Sequence, residues 1–123
     1  MSLTIERVDV PLSVCKVADY SMVDVECEFV FTGRTDGERS LVCPTGFVPE
    51  NTVAREDGWR AFRVQGSLDF SLVGILASIA GCLADAGISI YALSTFDTDY
   101  ALVKAKDFDR ALNALAEAGY RIG

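Results

Sequence analysis

The chain is predicted to be an α+β protein whose second half runs strand, helix, strand, strand, helix, strand. Three observations carry that prediction. Leu72, Leu76, Ile79, Leu83 and Ala86 recur at helical spacing, as do Phe108, Ala111, Leu112 and Leu115. Short segments rich in β-branched and aromatic residues flank these two stripes. Each stripe is followed by a glycine, Gly87 or Gly119, a residue able to take the positive φ that ends a helix.

Taken in order, Trp59 opens a short strand over 60–65, and a helix follows over 70–86, closed by Gly87. Residues 88–95 alternate Ile88, Ile90 and Ala92 against Tyr91 and Leu93, a strand apolar on both sides. Phe96-Asp97-Thr98-Asp99 is a turn, and 100–104 returns as a strand. Asp107 is placed to cap the second helix, and Tyr120-Arg121-Ile122 supplies the last strand. The expected product is a four-stranded antiparallel sheet with both helices on one face.

The first half is less regular, and the expected division is 1–58 and 59–123. Strand-like segments over 3–17 are broken by Pro11, and 18–26 reads as a short helix or a loop. Residues 27–32 alternate as a strand, 33–38 form a hairpin turn, and 40–43 return. Pro44, Gly46 and Pro49 mark a loop, with a polar stretch over 50–58. This half has the length of a degenerate copy of the second, with a helix missing or shortened.

Eighteen acidic against eleven basic residues give a formal charge of −7, a balance that repels nucleic-acid backbones and anionic lipid. With no apolar run of about 18 residues and no signal-peptide pattern, the chain is expected to be cytoplasmic. Cys15, Cys27, Cys43 and Cys82 have no CxxC spacing and no histidine to join them, so reduced thiols are expected rather than a metal site. Cys43 has no base beside it in sequence, and the carboxylates are scattered. No catalytic residue and no cofactor is therefore expected.

The candidate site is a loop end. In a βαββαβ sheet, the exit of the first strand and the turn between the second and third lie at the same end. That brings Ser67, Leu68, Asp69, Phe70, Ser71, Leu72, Val73 and Gly74 beside Thr95, Phe96, Asp97 and Thr98. Unsatisfied N–H groups at a helix start take a carboxylate, and Asp69 takes an ammonium or guanidinium. The pair of charges suits a zwitterion such as an amino acid. Asp69 is otherwise an N-cap, a task Ser67 or Ser71 can also perform. Asp97 is otherwise a turn residue bonding its own backbone. Phe96, a large apolar residue in a tight turn, is expected to cover a pocket or pack on the first half. Gly74, Ser78 and Gly81 line one side of the first helix, facing either another copy or an internal neighbour.

Gly74, Ile79 and Leu83 with Ala84-Asp85-Ala86-Gly87-Ile88-Ser89-Ile90 resemble the ACT domain, a small βαββαβ (ferredoxin-like) module that binds amino acids and regulates metabolic enzymes. Leu68-Asp69-Phe70-Ser71-Leu72-Val73-Gly74-Ile75 and Ser94-Thr95-Phe96-Asp97-Thr98-Asp99-Tyr100 resemble short bacterial ACT proteins and the cytosolic arginine sensors of animals. Val42-Cys43-Pro44, Val48-Pro49 and Gly58-Trp59-Arg60 fit the same group, so the likeness spans nearly the whole chain. Val73 stands where many ACT domains carry proline before the opening glycine. The resemblance implies two ACT-like units, the first degenerate, and a homodimer with ligands at a shared interface. Tyr91 and Leu93, facing away from the helices, would also need cover.

The expected function is that of a non-catalytic regulatory protein binding a small molecule, an amino acid first. Acylphosphatases share the βαββαβ order, and Arg63-Val64-Gln65-Gly66 with Phe70 is similar to their phosphate loop. Ser71 stands where that chemistry needs arginine, and Asp69 puts an acid in the cradle. A protein-interaction module without a ligand is the remaining alternative. RNA binding is disfavoured by the acidic balance.

Overall fold

The computed structural model describes residues 3–65 and 74–123. Its elements are β1 (Thr4–Val17), β2 (Phe31–Arg34), β3 (Arg39–Pro44), a 3-10 turn at Thr45–Phe47, β4 (Thr52–Val64), α1 (Ile75–Asp85), β5 (Tyr91–Ser94), β6 (Asp99–Lys104), a 3-10 turn at Ala105–Asp107, α2 (Phe108–Glu117) and β7 (Arg121–Ile122). From β4 onward the order is the expected βαββαβ. The chain divides into two compact units: Met1–Asp9 with Arg60–Gly123 (the carboxyl-terminal unit), and Val10–Trp59 (the inserted unit). A single cut near residue 58 does not describe that division, because the start of β1 groups with the second half.

In the carboxyl-terminal unit the strands neighbour one another in the order β1, β4, β6, β5. β7 pairs with β1 in parallel, Thr4 opposite Arg121 and Ile5 opposite Ile122, so the sheet is not the purely antiparallel one expected. The reason lies in Ile5, which is fully buried in the core and carries its strand into this sheet. Phe62 and Val64 of β4 alternate inward, as do Ala101 and Val103 of β6. They meet Ile79 and Leu83 of α1 and Phe108, Ala111, Leu112 and Leu115 of α2, which places both helices on one face.

Both helices stop by the same device. Ile88 N–H bonds Leu83 C=O (2.9 Å) and Gly87 N–H bonds Ala84 C=O (2.9 Å). That pairing needs the left-handed backbone at Gly87, whose φ is 74°. α2 repeats it, with Tyr120 N–H on Leu115 C=O and Gly119 N–H on Ala116 C=O. Two helix starts differ from expectation. α1 opens at Ile75 rather than Phe70, preceded by Gly74 at φ 81°. Asp107 sits at the start of α2, but its carboxylate takes Arg110 Nη2 (3.1 Å) instead of capping backbone N–H groups. β5 is shorter than expected, covering Tyr91–Ser94 only.

In the inserted unit β1 pairs antiparallel with β3 from Leu12 opposite Pro44 to Lys16 opposite Ser40, and β3 pairs with β2. β1 runs unbroken through Pro11, contrary to expectation. The proline falls between the residues paired with β7 and those paired with β3, outside both of those ladders. The polar stretch expected over 50–58 is largely strand, since β4 begins at Thr52. Residues 18–30 form turns. Asp19 accepts from Ser21 N–H (3.0 Å) and Asp24 from Glu26 N–H (3.0 Å), local bonds that compete with a helix. Phe29, at φ 61°, interrupts the extended chain, so β2 starts at Phe31 rather than at Cys27.

One hairpin occurs twice. β2 and β3 recur sixty residues later as β5 and β6 (31 to 91, 39 to 99), in matching register. Phe31 faces Val42 as Tyr91 faces Leu102, and Arg34 faces Arg39 as Ser94 faces Asp99. The 3-10 turn at Thr45–Phe47 likewise recurs at Ala105–Asp107. The second copy is flanked by α1 and α2; the first has turns in place of one helix and only the 3-10 turn in place of the other.

A polar cluster supports the inserted unit. The fully buried Ser13 hydroxyl donates to Asp57 Oδ1 (2.6 Å) and lies 2.9 Å from Thr45 Oγ1. Arg55 reaches the same carboxylate at 3.0 Å. The Ser13 hydrogen bond, then Arg55, hold the Asp57 carboxyl below the usual carboxylate range. A carboxyl depressed in the folded state stabilises above its unfolded pKa and loses that contribution as pH falls through its folded one. Asp57→Asn is therefore expected to narrow the stability difference between pH 7 and pH 3 in urea unfolding. An unchanged difference would show that the cluster carries no pH-linked stability.

Candidate functional site

The described part of the site is the end of β4 and the β5–β6 turn. Val64 is the last residue of β4, and its carbonyl accepts a hydrogen bond from Thr98 Oγ1 at 2.9 Å. The next residue, Gln65, donates its N–H to Thr4 C=O (2.9 Å). The turn is closed by Thr95 N–H on Thr98 C=O (2.9 Å), and the Thr95 hydroxyl also bonds within the turn, 3.3 Å from that carbonyl. At the base of the hairpin Ser94 Oγ donates to Asp99 Oδ1 (2.7 Å).

The residues expected to bind divide three ways. Ser67, Leu68, Asp69, Phe70, Ser71, Leu72 and Val73 lie outside the described residues. Gly74 is described, exposed, and in a left-handed conformation that favours glycine. Of the turn residues, Thr98 is buried and its hydroxyl is committed to Val64, which argues for a fixing role rather than direct contact. Asp97 is exposed, and the side-chain bonds that shape the turn come from Thr95, not from Asp97. Phe96 is 81% exposed at the tip, so burial in the fold does not account for an aromatic there. What sequence reasoning missed is the Val64 carbonyl. A backbone acceptor leaves no signature in residue type.

The row of Gly74, Ser78 and Gly81 does not serve a close internal approach. Among the described residues, a Cβ added at either glycine would meet nothing within 4 Å, and the Ser78 hydroxyl lies 2.7 Å from Tyr120 Oη.

Nucleophilic and metal chemistry find no support among the described groups. Burial, and then the neighbouring Cys15, push the Cys43 thiol up to about 11; burial raises Cys15 and Cys82 too. Cys27 is raised chiefly by its hydrogen bond to Asp24. No cluster of three or more potential metal ligands occurs among the described residues. The guanidinium of Arg63, which opens the string similar to the acylphosphatase phosphate loop, is held by Glu6 (2.6 Å) and Tyr100 Oη (2.9 Å).

The model of the ACT domain family matches residues 54–117, just over half of the sequence. The chain belongs to the ACT-domain family. Its carboxyl-terminal unit is thus the ACT α+β fold, a sheet carrying two helices. Over 46 residues this ACT-domain protein is 54% identical to the human "cytosolic arginine sensor for mTORC1 subunit 1", covering 37% of this chain and 14% of that one. The rat counterpart is 41% identical over 58 residues, 46% of this chain and 18% of the relative. The chain therefore matches only a small part of the curated relatives' length. Among solved structures, Atu0741 from Agrobacterium tumefaciens superposes with a TM-score of 0.87 at 29% identity, covering 100% of this chain and 93% of that one. The regulatory subunit of aspartate kinase from Thermus thermophilus shares the fold, with a TM-score of 0.66 at 10% identity over 94% of this chain and 96% of that one. No helix among the described residues is long and apolar enough to cross a membrane.

Proposed function

We propose that this ACT-domain protein is a non-catalytic regulatory module that binds a free amino acid at the loop end of its carboxyl-terminal unit. The observation that carries the reading is the hydrogen bond from Thr98 to the Val64 carbonyl. It holds the polar 95–98 turn against the strand end from which the chain passes into 66–73. Asp69 and the N–H groups of that stretch are the proposed partners of a zwitterion's ammonium and carboxylate. The similarity over 46 residues to a protein whose name is that of an arginine sensor supports an amino acid as the ligand class. Residues 1–58, in this reading, are a degenerate ACT-like half, an assignment supported by the hairpin repeated at sixty residues. We place the protein in the cytoplasm, as the relatives' names have it, and acting as a homodimer.

Isothermal titration against the twenty standard amino acids tests the reading. Heat of binding with one or a few of them is the expected result. A full-length, folded preparation giving no heat with any would sink it and favour a ligand-free interaction module. Light scattering checks the dimer, which a monomer mass at micromolar concentration would exclude.

A further inference from the structure

We propose that the inserted unit carries a second ligand site, at the exit of β1, which takes a small zwitterion between Asp19 and Arg39. The inference goes beyond the function proposed above, and every group it uses is described. The chain leaving β1 folds back beside the start of β3. Tyr20 Oη donates to Ser40 C=O (2.8 Å), and Ala18 N–H donates to Asn51 C=O (3.1 Å). Asn51 Nδ2 in turn donates to the carbonyl (3.2 Å) and to Oδ1 (3.0 Å) of Asp19.

This corner holds charges of both signs that do not meet. Two hydrogen bonds from Ser21, and after them the nearby Arg39 guanidinium, hold the Asp19 carboxyl below the usual carboxylate range. Yet among the described residues no carboxylate lies within 4.0 Å of Arg39. Its cross-strand partner is Arg34, whose guanidinium donates to the turn carbonyls of Thr35 and Glu38. Like charges directly opposite each other destabilise a hairpin, a cost that an anionic group relieves.

The acceptors are unmatched too. Every side-chain bond to Asp19 ends on Oδ1, from Ser21 N–H, Ser21 Oγ and Asn51 Nδ2. Oδ2 therefore has no donor among the described residues. Asn51 Oδ1 is buried without a partner, a desolvation that nothing in the fold repays. Rotation of that amide about its broad terminal torsion turns Oδ1 toward the donor that Asp19 Oδ2 would take. A primary ammonium supplies donors for both oxygens, and a carboxylate on the adjoining carbon is matched to Arg39.

Backbone amide NMR during titration with the twenty standard amino acids tests the proposal. Saturable shifts at Ala18, Asp19, Ser21 and Arg39 are expected with one or a few of them. Asp19→Asn keeps the acceptor that shapes the turn but loses the charge, and Arg39→Gln removes the cation. Each should weaken binding at these amides about tenfold or more, the scale of one charge-assisted bond. Arg39→Lys, which keeps the charge, should stay much closer to the parent. Parental affinity in Asp19→Asn or Arg39→Gln overturns the proposal, and so does an Arg39→Lys loss equal to that of Arg39→Gln, which would mark a packing role. Shifts confined to Gln65 and the 95–98 turn overturn this site and leave the carboxyl-terminal reading standing. Shifts confined to the β1 exit do the reverse, and a chain that responds to no amino acid sinks both.

Discussion

Phe62→Ala is expected to destabilise the protein by about 3–5 kcal/mol, the cost of deleting a buried aromatic and leaving its cavity. Phe62 is 1% exposed and heads the fully buried side chains by size. It projects from β4 into the cluster that also holds Ile5, Ile79, Leu83, Val103 and Leu115, so both helices lose a neighbour together. Whole domains of this size are stable by roughly 5–15 kcal/mol, so the variant gives up a large share of its margin. Urea unfolding followed by circular dichroism measures it. Asp97→Ala, at an exposed turn position, is the matched comparison and should stay within about 0.5 kcal/mol of the parent. Similar shifts in the two variants would mean that the cluster around Phe62 is not the stabilising core.

That core was legible where its pattern was local. Phe108, Ala111, Leu112 and Leu115 recur at helical spacing, and all four are buried; Ile79 and Leu83 mark α1 in the same way. Pairing between distant segments was not legible. Leu3 and Ile5 read as strand, but nothing in their neighbourhood says that their strand takes β7 as a parallel partner. Pro11 argued for a break because its cost depends on whether a partner needs its N–H, and that partner is set by the fold. Residues 52–57 look like a loop by polarity, and they are strand because backbone pairing makes no demand on side-chain type.

The site divided along the same line. The sequence marked 95–98 as a polar turn with an unexplained aromatic, and both features are there. It did not rank the turn's members, because ranking them requires knowing what each hydroxyl meets. Thr98 meets a carbonyl thirty-four residues away, and Thr95 meets its own turn. Two threonines of one type in one tetrapeptide thus have different tasks.

Asp69→Asn is expected to weaken amino-acid binding by about a hundredfold, roughly 2.7 kcal/mol, while leaving thermal stability near that of the parent. The substitution separates the two readings of this residue. Asparagine caps a helix about as well as aspartate, so a capping role predicts no loss of either stability or affinity. Neutralising a carboxylate that faces a substrate ammonium or guanidinium removes a charge-assisted bond and leaves the cation unpaired, with losses of 2 kcal/mol or more in desolvated settings. The start of α1 at Ile75, behind Gly74, already weakens the capping reading, because the first turn of that helix begins six residues beyond Asp69. Titration of the variant against the amino acid that binds the parent decides between them. Parental affinity in Asp69→Asn would return this residue to a structural role and leave the Gly74 end without a cation partner. Lost affinity with an unchanged melting temperature would assign its charge to the ligand.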